Sequence, residues 1–474
     1  MTAQTILPAN TLSGGYDVAN SARFHENAYM SQTWGSSGNR RTWTLSMWFK
    51  YSGLNNCRIF SIGDNTSNTM LDFFFTSGDL RVQDTQSGSE TLEFRTDQVF
   101  RDPISWSHLV FACDTTQGTE ANRFKIYHNG TQITSFSTET YPDQNLETLM
   151  NHTTGAATVG ARAVSQSGTE FDGYMAEVVV LDGTAAAPTS FGEFDSDSGI
   201  WKPIDVSGLT AGTNGFYLDF EDSGNLGNDA FGGSDFSETN FAATDQSIDT
   251  CTNNFATLNP LFLSAATLNF TEGNLTNNGV SSTAYRSAYG TIGVSTGKWY
   301  FEFRVDKVDD SDMAVGIVHE DQVVQTASNG RFYTGTKGYG YGAADGDKLN
   351  NDANNGAGES YGSGFTSVGN IVGCALDLDN GKIYFSLNGT FQASGDPTTG
   401  ATGTGSAFDV TLGGFYFPAI TTENDDDRYS INFGSPPYSE SGGNSDGEGF
   451  GNFAGSVPSG YFAICTKNLA EYGG

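Results

Sequence analysis

An all-β protein of two antiparallel β-sandwiches is what this 474-residue sequence predicts. Three observations carry the prediction. Apolar and polar residues alternate at period two along segment after segment, while the 3.6-residue period of amphipathic helices is hard to find. Asn-Gly pairs stand between apolar runs, where tight hairpins need them. The composition is polar without being charged: 60 glycines, 35 Phe, 20 Tyr and 6 Trp stand beside only 16% charged residues. So many aromatic residues exclude a disordered chain, and with Gly and Thr they suit short strands joined by turns.

In chain order, Thr42–Tyr51 places Leu45, Met47 and Phe49 on one strand face. An apolar strand at Trp106–Asp114 precedes Phe124–His128 and the turn pair Asn129-Gly130. Residues 196–262 are looser, with one clear strand at Phe216–Phe220. Lys298–Lys307 alternates cleanly. Trp299, Phe301, Phe303 and Val305 face one way, and Tyr300, Glu302, Arg304 and Asp306 face the other, as in a strand with one side wet. Val372–Asp379 is joined through Asn380-Gly381 to Lys382–Asn388, and a type I′ turn is expected there. The order of apolar strand, turn, aromatic strand and Asn-Gly occurs in both halves, which reads as two copies of one architecture. The expected domains are 1–195, a partly ordered connector with one strand at 196–262, 263–437, and a Gly-rich acidic tail at 438–474. The tail is expected to be mobile apart from a short terminal strand within Gly460–Thr466.

The charge balance is 22 − 55 = −33. Nucleic acid needs clustered cations, so binding to it is excluded, and anionic membrane surfaces are disfavoured. The longest apolar runs are about five residues, far short of the ~20 a membrane-spanning helix needs. Cys57, Cys113, Cys251, Cys374 and Cys465 lack framework or zinc spacing and are expected free and buried. Met1–Gly15 shows no basic region and no apolar stretch of signal-peptide length. Synthesis in a cytoplasm is therefore expected, with any exit by another route, such as release inside a particle.

No catalytic constellation stands out. Glu177–Asp182 reads E-V-V-V-L-D and lacks the middle acid of a two-carboxylate glycosidase strand, so an edge-facing Glu177 and a turn Asp182 are expected. His25, His108, His128, His152 and His319 have no ligand spacing and are expected to be structural. There is no G-x-S-x-G and no P-loop, and Gly338–Gly342 (G-Y-G-Y-G) is not followed by a helix, as a dinucleotide loop would be. Calcium is the metal best matched, through Asp309/Asp310/Asp312, Asp345/Asp347/Asp352 or Asp425/Asp426/Asp427, although none forms an EF-hand loop and solvated acidic turns are the simpler reading. No other cofactor is expected. Asn65, Asn129, Asn151 and Asn388 head N-x-S/T triplets that an Asn/Thr-rich chain produces by chance.

Gly297–Val305, Met313–Val318, Tyr361–Phe365 and especially Gly369–Gly389 resemble a SPRY domain over roughly residues 263–437, with Asn370 where such domains usually carry Asp. Arg41–Lys50, Trp106–Phe111, Phe124–Gly130 and Phe171–Gly183 resemble a laminin-G-like, concanavalin-A-type lectin sandwich. SPRY domains bind through loops at one end. That resemblance singles out Tyr339, Tyr341, Asp345 and Asp347 as candidate sugar-binding residues, with subunit contact or a plain loop as the alternative.

A longer string is similar to tailed-phage virion proteins, particularly of aquatic phages: Asn20–Phe24, Phe191–Glu193, Gly199–Pro203, Gly212–Phe220, Asn253–Leu261 and Cys465–Leu469. That resemblance implies a non-enzymatic fibre, adhesin or knob on the virion surface. Its implied partners are other virion proteins, further copies of itself and host surface polysaccharide. The alternatives are a capsid or tail decoration protein with no host ligand, and a glycan depolymerase. Coiled-coil heptads and collagen repeats are both missing, which favours a compact knob over a long fibre.

Overall fold

The computed structural model describes residues 15–53, 56–64, 68–153, 155–163, 169–263, 268–277, 285–308, 313–323, 330–351, 358–423, 427–440 and 442–473. It is all-β, and the described residues fall into two compact units divided between Thr252 and Asn253.

In the N-terminal unit, two eight-stranded antiparallel sheets face each other. The first runs Thr131–Gln132, Phe124–His128, Ser107–Asp114, Thr42–Tyr51, Gly173–Asp182, Ser21–Phe24 and Gln246–Ser247, with Phe216–Leu218 also pairing Gly173–Asp182. The second runs Phe136–Thr140, Ser89–Val99, Asp79–Gln86, Met70–Thr76, Cys57–Gly63, Ala156–Val159, Tyr29–Gln32 and Ser237–Thr239. Between them lies an aromatic core that includes Trp43, Phe73, Phe111, Phe124 and the expected Leu45, Met47 and Phe49. Asn129 and Gly130 both have positive φ, 46° and 75°, and Thr131 pairs with His128, which makes the expected two-residue I′ hairpin.

The C-terminal unit pairs a seven-stranded with a nine-stranded sheet. Lys298–Lys307 is central to the larger one, between Ile371–Asp377 and Arg428–Asn432. Trp299, Phe301, Phe303 and Val305 enter the core as the alternation requires.

Four expectations are corrected. Residues 196–252 are not a connector with one strand. They carry Trp201–Pro203, Phe216–Leu218, Ser237–Thr239 and Gln246–Ser247, all paired within the N-terminal unit. Strands of two or three residues between Gly/Asp turns are too short to show a period, but their Trp201, Phe216 and Tyr217 are buried, as is Phe236 just before Ser237–Thr239. Residues 438–473 are likewise packed. Phe462–Ala463 adds a parallel pairing to Lys298–Lys307, the helix Thr466–Tyr472 follows, and Phe453, Tyr461, Ile464 and Cys465 are fully buried. For that reason the supposedly wet face of Lys298–Lys307 is partly dry: Tyr300 and Glu302 are buried, with Phe453 of the tail edge-on to Tyr300 at 5.2 Å. All five cysteines are free and buried, as expected.

The fourth correction concerns Asn380-Gly381. The loop between paired Asp377 and Lys382 has four residues, and only Gly381 has positive φ, 62°. It is not a I′ turn. The Asp377 carboxylate builds it, accepting from Asp379 N (3.1 Å) and Asn380 N (2.9 Å). A Cβ on Gly381 would lie 2.7 Å from Val410 O. Gly381→Val should therefore cost the C-terminal unit roughly 1–3 kcal/mol. An unchanged midpoint in denaturant unfolding would show that the turn relaxes freely.

Candidate functional site: a polar pocket at one end of the N-terminal sandwich

Three loops meet at one end of the N-terminal unit: residues 33–41, 115–119 and 141–153. Asp182, the last residue of its strand, ties two of them together. Its carboxylate accepts from Asn39 N (2.6 Å), from Asn151 Nδ2 (3.0 Å) and from Asn214 N (3.0 Å). Position 38 must be glycine, because a Cβ there would sit 1.9 Å from Asp182 Oδ2. Asn39 Oδ1 in turn accepts from the backbone N–H groups of Arg41 and Thr42, both at 3.0 Å, and fixes the turn into the strand.

On this frame stand two arginines and a glutamate. Arg40 donates from Nε to Thr148 O (2.7 Å), from Nη1 to Glu147 Oε2 (3.2 Å) and from Nη2 to Glu147 O (3.1 Å). Arg41 Nη2 donates to Glu147 Oε1 at 3.1 Å. The Arg40 side chain is 18% exposed, whereas Arg41 and Glu147 are 45% and 52% exposed. Around them opens a cavity of about 510 Å³ lined by Ser37, Gly38, Asn39, Arg40, Arg41, Thr42, Thr116 and Glu147. Its formal charge is +1 on a chain of −33. It offers guanidinium, hydroxyl, amide and carboxylate groups and no aromatic ring. Such a lining suits a polyol, particularly an anionic one, through charge-assisted hydrogen bonds.

The sequence did not single out this pocket. Arg40-Arg41 was visible as an adjacent cation pair in an acidic chain, but nothing local showed Glu147 returning to it.

Glu177 and Asp182, weighed as glycosidase carboxylates, face protein groups. Asp182 is spent as described. Glu177 is not at an edge, since its strand lies between Thr42–Tyr51 and Ser21–Phe24. It occupies a bulge with φ 51° and accepts from Tyr217 Oη (2.8 Å) and Tyr16 Oη (3.5 Å). Burial pushes its carboxyl up to about 8. His108 looks like a serine activator and is not one. Trp201 Nε1 donates to its Nδ1 (3.0 Å), so Nε2 must carry the proton and donate to Ser46 Oγ (2.9 Å). Burial lowers His108 to about 3, and the ring is stacked on Trp48 at 4.7 Å.

Tyr339 and Tyr341 are corrected. Both lie in the strand Gly338–Gly342 with their rings in the core, 4% and 0% exposed, and Tyr341 stacks on Phe385 at 5.3 Å. Along G-Y-G-Y-G both tyrosines share one face, which is the inward one, so they cannot form a sugar platform. Asp345 is exposed in the following turn, and Asp347 is half-buried in Asp347–Leu349. Of the other acidic groups, Asp427 is buried. Asp309, Asp310, Asp312, Asp352, Asp425 and Asp426 lie outside the described residues, as does Asn65.

Each unit is a β-sandwich of two facing sheets, and the N-terminal one carries a polar pocket at one end. Residues 25–188 match the family model described as concanavalin A-like lectin/glucanases superfamily, of laminin-G type, and residues 298–436 match the SPRY domain. The chain thus carries a laminin-G-like lectin domain followed by a SPRY domain. Among solved structures it is similar to the SPRY domain of human HERC1 (14% identity, 37% of this chain and 96% of that one, TM-score 0.27). It is similar to a Bacteroides ovatus structure described as a candidate carbohydrate binding protein (15% identity, 47% of this chain, TM-score 0.35), of which it spans 59%. It is also similar to a heptameric SAP-like pentraxin from Limulus polyphemus (15% identity, 36% of this chain and 80% of that one, TM-score 0.27). These likenesses bear on the fold alone. No curated protein matches the sequence.

Proposed function

We propose that this chain is a non-enzymatic, glycan-binding structural protein of a tailed-phage particle, displayed in several copies at the virion surface as an adhesin or compact knob. The observation that carries the binding reading is the Arg40/Arg41/Glu147 pocket. It is a locally cationic, hydrogen-bonding cavity on an otherwise strongly acidic chain, set at the loop end of a lectin-like sandwich. The virion reading is supported by the motif string from Asn20–Phe24 to Cys465–Leu469. The non-catalytic reading is supported by Glu177 and Asp182, whose oxygens are spent on protein donors.

The ligand class is an acidic host surface polysaccharide. Each contact is weak, and many copies supply avidity. No cofactor is needed. Calcium enters only as an ion bridging the acidic chain and its acidic ligand, in which case it strengthens binding.

On an array of host polysaccharides, the assembled protein should bind acidic glycans, and binding should fall with added salt. Arg41→Ala should weaken it by about tenfold or more, the loss of a charged hydrogen bond. Binding that survives Arg41→Ala would remove the pocket from the proposal. Release of reducing ends would make the protein a depolymerase. No binding in any condition, with near-capsomer copy number, would make it a decoration protein.

A further inference from the structure

A second cavity, of about 340 Å³, lies on the SPRY unit, and it is of a different chemical kind. Its lining includes Thr296, Lys298, Asp379, Phe462, Glu471 and Tyr472. The tail that was expected to be mobile builds half of it. Thr296 Oγ1 donates to Gly473 O (2.8 Å), which docks the end of the helix Thr466–Tyr472 against the start of Lys298–Lys307. On this helix Tyr472 stacks flat on Phe462, with centroids 3.7 Å apart and planes 6° from parallel. Both rings are partly exposed.

Polar groups surround that aromatic pair. Asp379 Oδ1 accepts from Gly297 N (2.8 Å), which aims the carboxylate while Oδ2 forms no hydrogen bond to a described residue. Lys298 Nζ is held 3.0 Å from the buried Asp377 and above the Tyr461 ring. Glu471 is exposed at the rim and hydrogen-bonds to no described residue. The edges and outer face of the stacked pair give an apolar surface, two carboxylates accept hydroxyl protons, and the Lys298 ammonium donates, while the Thr296 hydroxyl is already given to Gly473 O and that of Tyr472 to Glu448. The volume lies at the low end of the ~300–1,000 Å³ typical of small-molecule sites. Lys298, Asp379 and Glu471 together carry a formal charge of −1, opposite in sign to the arginine pocket.

We infer that the C-terminal tail builds a saccharide site on the SPRY unit for an uncharged or amine-bearing pyranose. The sugar's C–H face lies against the exposed outer part of the stacked Phe462/Tyr472 pair, and its hydroxyls bond to Asp379 and Glu471. Acidic sugars are repelled by the two carboxylates. One chain then reads two kinds of sugar, an acidic one in the lectin-like unit and an uncharged or basic one here. The inference does not depend on the arginine pocket being occupied.

The test is saturation-transfer NMR and titration of the full chain with glucose, galactose, mannose, N-acetylglucosamine, glucosamine and glucuronic acid. Transfer to ring protons of at least one uncharged or amino sugar is expected, with little salt dependence and none to glucuronic acid. Tyr472→Ala and the near-isosteric Asp379→Asn should each weaken binding about tenfold, and Arg41→Ala should leave it unchanged. Glu471→Gln sits at an exposed position and reports on the site even if Tyr472→Ala disturbs the tail. It should weaken binding severalfold, most for glucosamine. Transfer from none of the uncharged or amino sugars overturns the inference. So does binding that survives both Asp379→Asn and Glu471→Gln, and so does glucuronic acid binding as tightly as glucose. Loss of acidic-glycan binding in Arg41→Ala with this site intact would separate the two readings.

Discussion

Glu302→Ala is expected to destabilise the C-terminal unit by about 3–5 kcal/mol, more than any surface substitution could. The Glu302 carboxylate is fully buried and satisfies four donors: Gly455 N (2.7 Å), Ala454 N (2.9 Å), Tyr300 Oη (3.0 Å) and Asn432 Nδ2 (3.3 Å). Two of these belong to the tail, so one side chain on the central strand holds residues 453–455 against the sheet. Burial raises its carboxyl above the ordinary value, and the donors from Ala454 and Gly455 pull it back. Alanine leaves the backbone N–H groups of Ala454 and Gly455 unpaired in the interior, each at about 1–3 kcal/mol, whereas Asn432 Nδ2 keeps Asn452 O as a second acceptor. Glu302→Gln keeps the shape but turns an N–H₂ toward a donor, so an intermediate loss is expected. The readouts are denaturant unfolding and limited proteolysis of residues 438–473. If Glu302→Ala keeps the wild-type midpoint and the tail stays protected, the carboxylate does not hold the tail.

The same strand shows how far the sequence could be read. Its alternation correctly sorted Trp299, Phe301, Phe303 and Val305 into the core. The alternation also implied water on the other face, and there the reading failed. The failure is repeated in the N-terminal unit. Trp48 and Lys50, opposite Leu45, Met47 and Phe49, are buried too, and Lys50 pairs with Asp249 at 2.8 Å while Trp106 donates to the same carboxylate at 3.0 Å. In both cases a later, weakly patterned segment returns to cover the outer face. Period two says which residues share a face but not what covers it. The cue was the large rings of Trp48 and Tyr300 on faces that a wet strand would leave polar.

The candidate sites divide along the same line. Fold-level features depend on local periodicity and turn chemistry, so the Asn129-Gly130 hairpin was legible. Both pockets are assembled from residues more than 80 positions apart, Arg40 with Glu147 and Gly297 with Tyr472, and no local pattern joins them. Tyr339 and Tyr341 were misread because glycine-rich sequence was taken for a loop. There the glycines let strands approach closely: a Cβ on Gly316, opposite Gly340, would lie 1.9 Å from Tyr339 O.

Raising the pH from about 5 to about 8.5 should cost the N-terminal unit stability at Glu177, and Glu177→Gln should remove that contribution. Glu177 is buried in the bulge, where desolvation pushes its carboxyl from an ordinary 4.5 up to about 8. Tyr217 and Tyr16 donate to it and oppose the rise, while Asp219 and Glu221 nearby reinforce it. The native state therefore keeps a proton that the unfolded chain releases. Stability is fully present below the unfolded value and is lost as pH climbs toward the folded one. At about 1.4 kcal/mol per tenfold change in proton affinity, the loss is at most about 5 kcal/mol. Asp84, pushed up to about 6 by burial in the same unit, contributes in the same direction, while His108 and His128, lowered by burial to about 3 and about 4, contribute in the opposite one below about pH 6.5, so the informative quantity is wild type minus variant. The two proteins should be equally stable near pH 5, with Glu177→Gln several kcal/mol more stable at pH 8.5. Parallel unfolding curves across that range would mean that Glu177 ionises normally and that its two tyrosines offset the whole cost of burial. The consequence reaches the outer face of the sheet, because Tyr217 belongs to the strand Phe216–Leu218 that helps to close it. A charged Glu177 would be the first place where that cover loosens.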